Sequence, residues 1–189
     1  AGVIRGIEPN DSPERFRGLG VDLIFGTGRF VDRETFEIEG RRLTAKAFVV
    51  ATGSRPAVPK IPGLDTTPYL TNETLFDLRE PVPSLLIAGG GPIGCEMAQA
   101  FRRLGSEVTV VDMAPRFLPR EDPDLAAVVT RALESEGVRH RLGATITGFS
   151  GRNGDVRVAL RGADGRLDEL AGSHLLLALL QKGAMNEAL

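Results

Sequence analysis

The chain of 189 residues has no tryptophan, one tyrosine, two histidines and a single cysteine, Cys95. One cysteine excludes an internal disulfide. With two distant histidines it also excludes a zinc cluster, so no metal ligands are assigned. No apolar run reaches membrane-span length. A formal net charge of -2 excludes the basic footprint of a nucleic-acid binder. The pairs Arg41-Arg42 and Arg102-Arg103 read as solvated faces. The first residues, Ala1-Gly2-Val3-Ile4-Arg5, lack the layout of a signal peptide. They also lack a Met, so the chain reads as cut from something longer. A cytoplasmic location is expected.

What is present is glycine, at informative places. Gly89-Gly90-Gly91-Pro92-Ile93-Gly94 reads G-x-G-x-x-G. It follows the apolar run Leu85–Ala88 and opens a helical pattern. Asp112 closes the next apolar run. A strand that ends in such a turn lets backbone N–H groups approach a pyrophosphate, and the following helix N-terminus favours the anion. A carboxylate at the second strand's end can accept hydrogen bonds from an adenosine ribose. Strand, glycines, helix and spaced acid together point to a dinucleotide site. An acid there favours NADH, whose 2′-hydroxyl is free, over NADPH. Arg116, four residues on, could soften that preference.

Cys95 follows the last motif glycine. As a small residue it allows close packing and close cofactor approach. A helix N-terminus can also lower a thiol pKa, which leaves a reactive thiol as the alternative. Glu96 has a plain reading as a first-turn acid favoured by the helix dipole.

The rest of the pattern gives an α/β fold: a Rossmann-like parallel sheet with a β-meander, preceded by a smaller region. Asp11-Ser12-Pro13-Glu14 starts an early helix. Strands are expected at Val21–Phe25, Phe30-Val31, Thr35–Ile38 and Leu43–Val50, with Ala47–Ala51 a long apolar strand. The proline-rich stretch from Pro56 to Pro68 reads as an extended linker. Three parts follow: residues 1–63, the nucleotide domain 64–182 and a tail 183–189. Asn72–Leu78 reads as a short helix with an Asn cap. The helix from Pro92 to about Leu104 places Ile93, Met97, Phe101 and Leu104 on a sheet. Asp122-Pro123-Asp124 starts another, with Leu125, Val128, Val129, Ala132 and Leu133 on its apolar face. Val108–Val111 and Val138–Leu142 are further strands. Ala144–Phe149, Asp155–Leu160 and Arg166–Ala171 form the meander, and Leu175–Leu180 is a last apolar strand.

Two segments carry a resemblance. Ala51-Thr52-Gly53-Ser54-Arg55-Pro56, followed by Ile61-Pro62-Gly63, resembles the "ATGSxP…PG" segment of the flavin-dependent pyridine nucleotide-disulfide oxidoreductases. So does "GGGPIGCEMAQAFRRLGSEVTVVDMAPRFLPREDPDL" from Gly89 to Leu125. The likeness is to the dihydrolipoamide dehydrogenase and mercuric reductase branch, and it runs from about Asp11 to Ala178. It implies a homodimeric parent enzyme in which hydride passes from a nicotinamide to FAD and on to a disulfide or metal ion.

The resemblance also implies roles. Gly89 through Glu96 would wrap the nicotinamide dinucleotide, with Glu96 near nicotinamide and flavin. Asp112 stands where the family has Glu, one methylene longer, so its ribose contact would be longer or water-bridged. Ile146 matches an aliphatic position lining the cofactor, and as a plain core residue it would look the same. Gly28, Thr52, Gly53 and Ser54 match FAD-contacting positions, although Gly28 also suits a simple turn. The family's first G-x-G-x-x-G, its C-x4-C redox pair and its catalytic His-x4-Glu have no counterpart here. His140 and His174 match no catalytic position, so no catalytic residue is assigned. After Leu175-Leu176-Leu177-Ala178 the family continues with an "ATGRxPN"-like segment, where this chain reads Leu179-Leu180-Gln181-Lys182-Gly183. The second reading is a dinucleotide-binding module with no redox chemistry of its own.

Overall fold

A computed structural model describes residues 2–183. Of the expected tail 183–189, residues 184–189 lie outside the described residues. The chain divides into two compact units, one ending at Ala51 and the other starting at Thr52.

The first unit holds helix α1 (Gly2–Ile7), a 3-10 turn, helix α2 (Pro13–Gly18) and strands β1 (Gly28–Phe30), β2 (Thr35–Ile38) and β3 (Arg41–Thr44). Ser12 caps α2 as expected, its hydroxyl accepting from the Arg15 N–H. The three strands form an antiparallel sheet. Glu39 and Gly40 both take positive φ, 47° and 73°, at the tight β2–β3 turn. Two expected strands are absent. Val21–Phe25 and Ala47–Ala51 are irregular, and Val49 is 92% exposed. An apolar run becomes a strand only when a neighbour takes up its backbone N–H and C=O groups. Among the described residues no strand pairs with either segment.

The second unit holds β4 (Ser54–Ala57), β5 (Ser84–Ala88), α3 (Pro92–Arg103), β6 (Glu107–Asp112), α4 (Pro123–Ser135), β7 (Arg139–Leu142), β8 (Thr145–Arg152), β9 (Asp155–Arg161), β10 (Leu167–Gly172), β11 (His174–Leu177) and β12 (Leu180–Gly183). Four strands form a parallel sheet in the order β11-β5-β6-β7. Strands β8, β9 and β10 form the antiparallel meander. The Rossmann-like α/β architecture with its meander is therefore as the sequence indicates.

Strand alternation builds a three-layer stack. Leu85 and Ile87 of β5 join Cys95, Ala98, Val108, Val110, Leu133 and Leu176 on the helical side. Leu86 and Ala88 join Val111, Leu175, Leu177 and the meander's Phe149, Val156, Val158 and Leu160 on the other. Period-two side chains on a strand covered on both faces require this unbroken apolar composition. Full burial of each large aliphatic side chain is worth roughly 1.5–3 kcal/mol.

Several expectations need correction. The Pro56–Pro68 stretch is not a linker. Its first residues lie in β4, Leu64 is 3% exposed in the second core cluster, and Phe149 donates its N–H to the Pro62 carbonyl. Asn72–Leu78 is not a capped helix but a single 3-10 turn, Leu75–Asp77. No side chain caps it; the Thr71 hydroxyl instead braces the preceding turn, accepting from the Glu73 and Thr74 N–H groups. On α3, Leu104 is 78% exposed, and the buried line is Gly94, Cys95 and Ala98, flanked by Met97 and Phe101. The helix lies close to the strands, so small residues take the centre of the contact. On α4, Leu125 and Val128 are exposed while Ala126 and Leu133 are buried. Gly105 and Gly137 follow the two helices at φ 98° and 85°. The last apolar strand stops at Leu177. Leu180 instead opens β12, which runs antiparallel to β4 and pairs Gly183 with Ser54. No helix among the described residues is long and apolar enough to cross a membrane.

Candidate dinucleotide site

The site is the turn from β5 into α3, at the C-terminal edge of the parallel sheet. Each motif glycine has its own reason. Gly89 takes φ 113°, and a Cβ there would lie 2.4 Å from the Ala178 carbonyl oxygen. Gly94 packs its Cα on the turn itself, and a Cβ would lie 1.9 Å from the Gly89 carbonyl oxygen. Gly91 differs, because nothing lies within 4 Å of where its Cβ would be. Gly91 is the N-cap of α3, with no side chain satisfying the first turn, and Pro92 follows at the first helical position. The opening N–H groups of a helix have no intrahelical acceptor. Open space thus lies beside an uncapped helix N-terminus, which is what an incoming phosphate needs.

Asp112 is brought onto this turn. Its Oδ2 accepts from the Gly90 N–H at 2.6 Å, and its Oδ1 from the Ala114 N–H at 2.7 Å. Each carboxylate oxygen can accept a second bond, so the side chain can hold the turn and still receive a ribose hydroxyl. Gly90 is fastened further: its carbonyl accepts from the Leu118 N–H at 2.9 Å and from the Cys95 thiol at 3.4 Å.

Cys95 is buried, and desolvation, reinforced by the charges of Asp112 and Glu96, pushes its thiol up to about 11. The helix N-terminus does not win here, so the reactive alternative is corrected. At pH 8 roughly one thiol in a thousand is ionised. In the native chain Cys95 is therefore expected to resist an aromatic disulfide reagent at pH 8 under conditions that label the unfolded chain to completion. Labelling at the same rate in both states would contradict this.

Glu96 is exposed, and it lies beyond the first turn of α3, which contains no acid. The first-turn reading is corrected. Ile146 is half-buried on β8 at the edge of the second core cluster, beside a register shift between Ile146 and Gly148. Gly28 lies in β1 of the first unit, where a Cβ would lie 2.4 Å from the Phe36 ring. Thr52 and Gly53 open the second unit, Gly53 at φ 72° with open space around it, and Ser54 starts β4. Thus Gly89–Glu96 lie on the turn and the helix it opens, with Asp112 bonded to that turn, while Ile146 sits in the meander and the other four fall on two units.

The sequence reading missed the loop after β6. Phe117 is fully buried beside Gly90 and stacks edge-on with His140, their ring centroids 5.4 Å apart. Two apolar residues, Phe117 and Leu118, inside a polar loop were the available signal. Two concavities, of about 520 and 360 Å³, lie elsewhere, one lined between Val58 and Tyr69 and one around Arg141 and Asp168. Neither includes the glycine turn. No cluster of His, Cys, Asp and Glu able to hold a metal occurs among the described residues.

Residues 13–179 match the family model described as pyridine nucleotide-disulphide oxidoreductase. Over 163 residues the chain is 36% identical to a mercuric reductase of Bacillus cereus, covering 86% of this chain and 26% of that protein. It is 34% identical over 166 residues to a dihydrolipoyl dehydrogenase of Thermus scotoductus, covering 86% of this chain and 36% of that one. The solved structure of the HOCl-induced flavoprotein disulfide reductase RclA from Escherichia coli superposes with a TM-score of 0.68 at 30% identity. That match covers 96% of this chain and 43% of RclA. The chain therefore spans well under half the length of these relatives. The family-model match over residues 13–179, most of the chain, shows that this chain belongs to the pyridine nucleotide-disulphide oxidoreductase family.

Proposed function

We propose that the second unit binds a nicotinamide dinucleotide on the β5–α3 turn, as the pyridine nucleotide module of a flavin-dependent oxidoreductase. The observation that carries this is the open space at Gly91 beside an uncapped helix N-terminus, with the Asp112 carboxylate on the same turn. The Gly91–Gly94 segment would hold the pyrophosphate, and Asp112 the adenosine ribose. Cys95, inward and protonated, keeps the helix close to the turn and leaves the pyrophosphate side free of a charged thiolate. Glu96, exposed one turn further on, would face the nicotinamide end, and Ile146 would add an aliphatic contact.

In the parent protein, nicotinamide and FAD together would supply hydride transfer, ending on a disulfide or a metal ion, the acceptor classes that the relatives' names indicate. Gly28, Thr52, Gly53 and Ser54 would touch FAD. On this reading residues 1–63 are part of a flavin domain and 64–182 the nicotinamide domain, in a cytoplasmic homodimer.

One observation favours a narrower reading for the chain by itself. Its only thiol is buried and protonated, so it offers no partner for a dithiol–disulfide step. The chain alone would then bind dinucleotide without turnover, and bind FAD weakly. Titration calorimetry should show NADH binding more tightly than NADPH, because Asp112 accepts from a 2′-hydroxyl and repels a 2′-phosphate. Equal or tighter NADPH binding would remove the ribose role from Asp112. In the same preparation, NADH absorbance should stay constant with lipoamide, glutathione disulfide or mercuric ion. Oxidation by the chain alone would reject the narrower reading.

A further inference from the structure

We infer that Arg116 is a positioning residue of the dinucleotide site, its guanidinium gathering three carbonyls of the loop that fastens Gly90. This rests on the proposed function of the β5–α3 turn.

Arg116 Nη1 donates to the Leu118 carbonyl at 3.1 Å. Its Nη2 donates to the carbonyls of Pro119 and Glu121, each at 2.9 Å. The side chain is half-buried. Three of its five N–H donors are thereby spent within five residues of its own Cα. Only a planar fork of fixed donors can meet three converging carbonyls together, and an ammonium is a point charge on a flexible stem.

The folded loop does something specific. Leu118 sits at φ 49°, a conformation that a non-glycine residue holds only when its surroundings over-determine it. Its carbonyl accepts from Arg116 and from the Glu121 N–H, while its own N–H points back to the Gly90 carbonyl at 2.9 Å. Phe117, next to it, is buried against Gly90. The other end of the loop is tied by the Ala114 N–H to Asp112 and by the Gly143 N–H to the Ala114 carbonyl. The guanidinium therefore sets Leu118, Leu118 sets Gly90, and Gly90 sets the placement of Gly91 and the carboxylate that shares its N–H.

An arginine four residues beyond the ribose acid has another obvious use, reading a 2′-phosphate. The two uses separate cleanly. A phosphate reader affects NADPH alone, whereas a positioning residue affects both dinucleotides by the same factor.

The test uses Arg116→Gln and Arg116→Lys in the whole chain, with two readouts. Amide hydrogen exchange at Leu118 should speed up at least about tenfold in Arg116→Gln, while core amides of β5 and β6 keep their protection. NADH and NADPH dissociation constants should rise by a common factor of about ten, their ratio unchanged, as expected for a small displacement of binding groups. Arg116→Lys should shift both readouts the same way by less, and it serves alone if Arg116→Gln does not fold. Unchanged exchange at Leu118 overturns the inference whatever binds. Selective loss of NADPH overturns it in favour of phosphate reading. NADH binding by the unmodified chain, with identical constants in both variants, sinks the positioning role alone. No NADH binding by the unmodified chain sinks the dinucleotide reading first.

Discussion

Replacing Gly91 by alanine leaves the fold intact and weakens NADH binding by more than about tenfold, while Gly94→Ala destabilises the fold itself. At Gly91 the backbone, φ -75° and ψ -172°, suits any residue, and a methyl would meet no protein atom within 4 Å. The cost to stability is that of a poorer N-cap, at most about 1 kcal/mol. The methyl would instead fill the space proposed for the pyrophosphate and hold it off the helix N–H groups. At Gly94 the methyl would lie 1.9 Å from the Gly89 carbonyl oxygen. That oxygen cannot retreat easily, because the Gly89 N–H is bonded to the Val111 carbonyl at 2.8 Å. Helix and strand must separate, at about 1–3 kcal/mol or more. Thermal melts and titration calorimetry on both variants check the pair. Undiminished NADH binding by Gly91→Ala would remove the pyrophosphate from this turn.

Asp112→Asn should lose both stability and NADH affinity. The carboxylate accepts two backbone N–H bonds, one on each oxygen. An amide keeps one acceptor and turns an N–H donor toward the other backbone donor. Lost charge-assisted bonding and an unpaired N–H together cost about 1–3 kcal/mol. The turn then loosens, and the ribose loses its acceptor. Asp112→Arg should raise NADPH affinity relative to NADH, yet weaken both, because it also removes the two acceptors that hold Gly90 and Ala114. Melting and binding measured together decide the matter. An Asp112→Asn variant with unaltered melting would mean that the carboxylate does not brace the turn in solution.

The glycine turn and its acid were legible in the sequence because their jobs are backbone jobs with fixed spacing. Gly89, Gly94 and Asp112 each answer a local steric or hydrogen-bonding demand. The parallel sheet was legible because Leu85–Ala88 and Val108–Val111 are apolar on both faces. Val21–Phe25 and Ala47–Ala51 misled because hydrophobicity does not reveal whether a neighbouring strand exists. Leu104, Leu125 and Val128 misled because helical spacing gives a stripe but not its depth, and small residues took the closest contact. Arg116 was legible only as a charge near the ribose acid. Its role depends on where three loop carbonyls point, and no residue pattern encodes that.

The pairing of Ser54 with Gly183 has a topological consequence. Between these paired residues lie the parallel sheet, both its helices and the meander, so everything that forms the nucleotide site is strung on one closed excursion of the backbone. Its entry and exit are paired strand neighbours about 5 Å apart. A module with adjoining ends can be spliced into a surface turn of a host, or lifted out again, without prising apart the host's own elements.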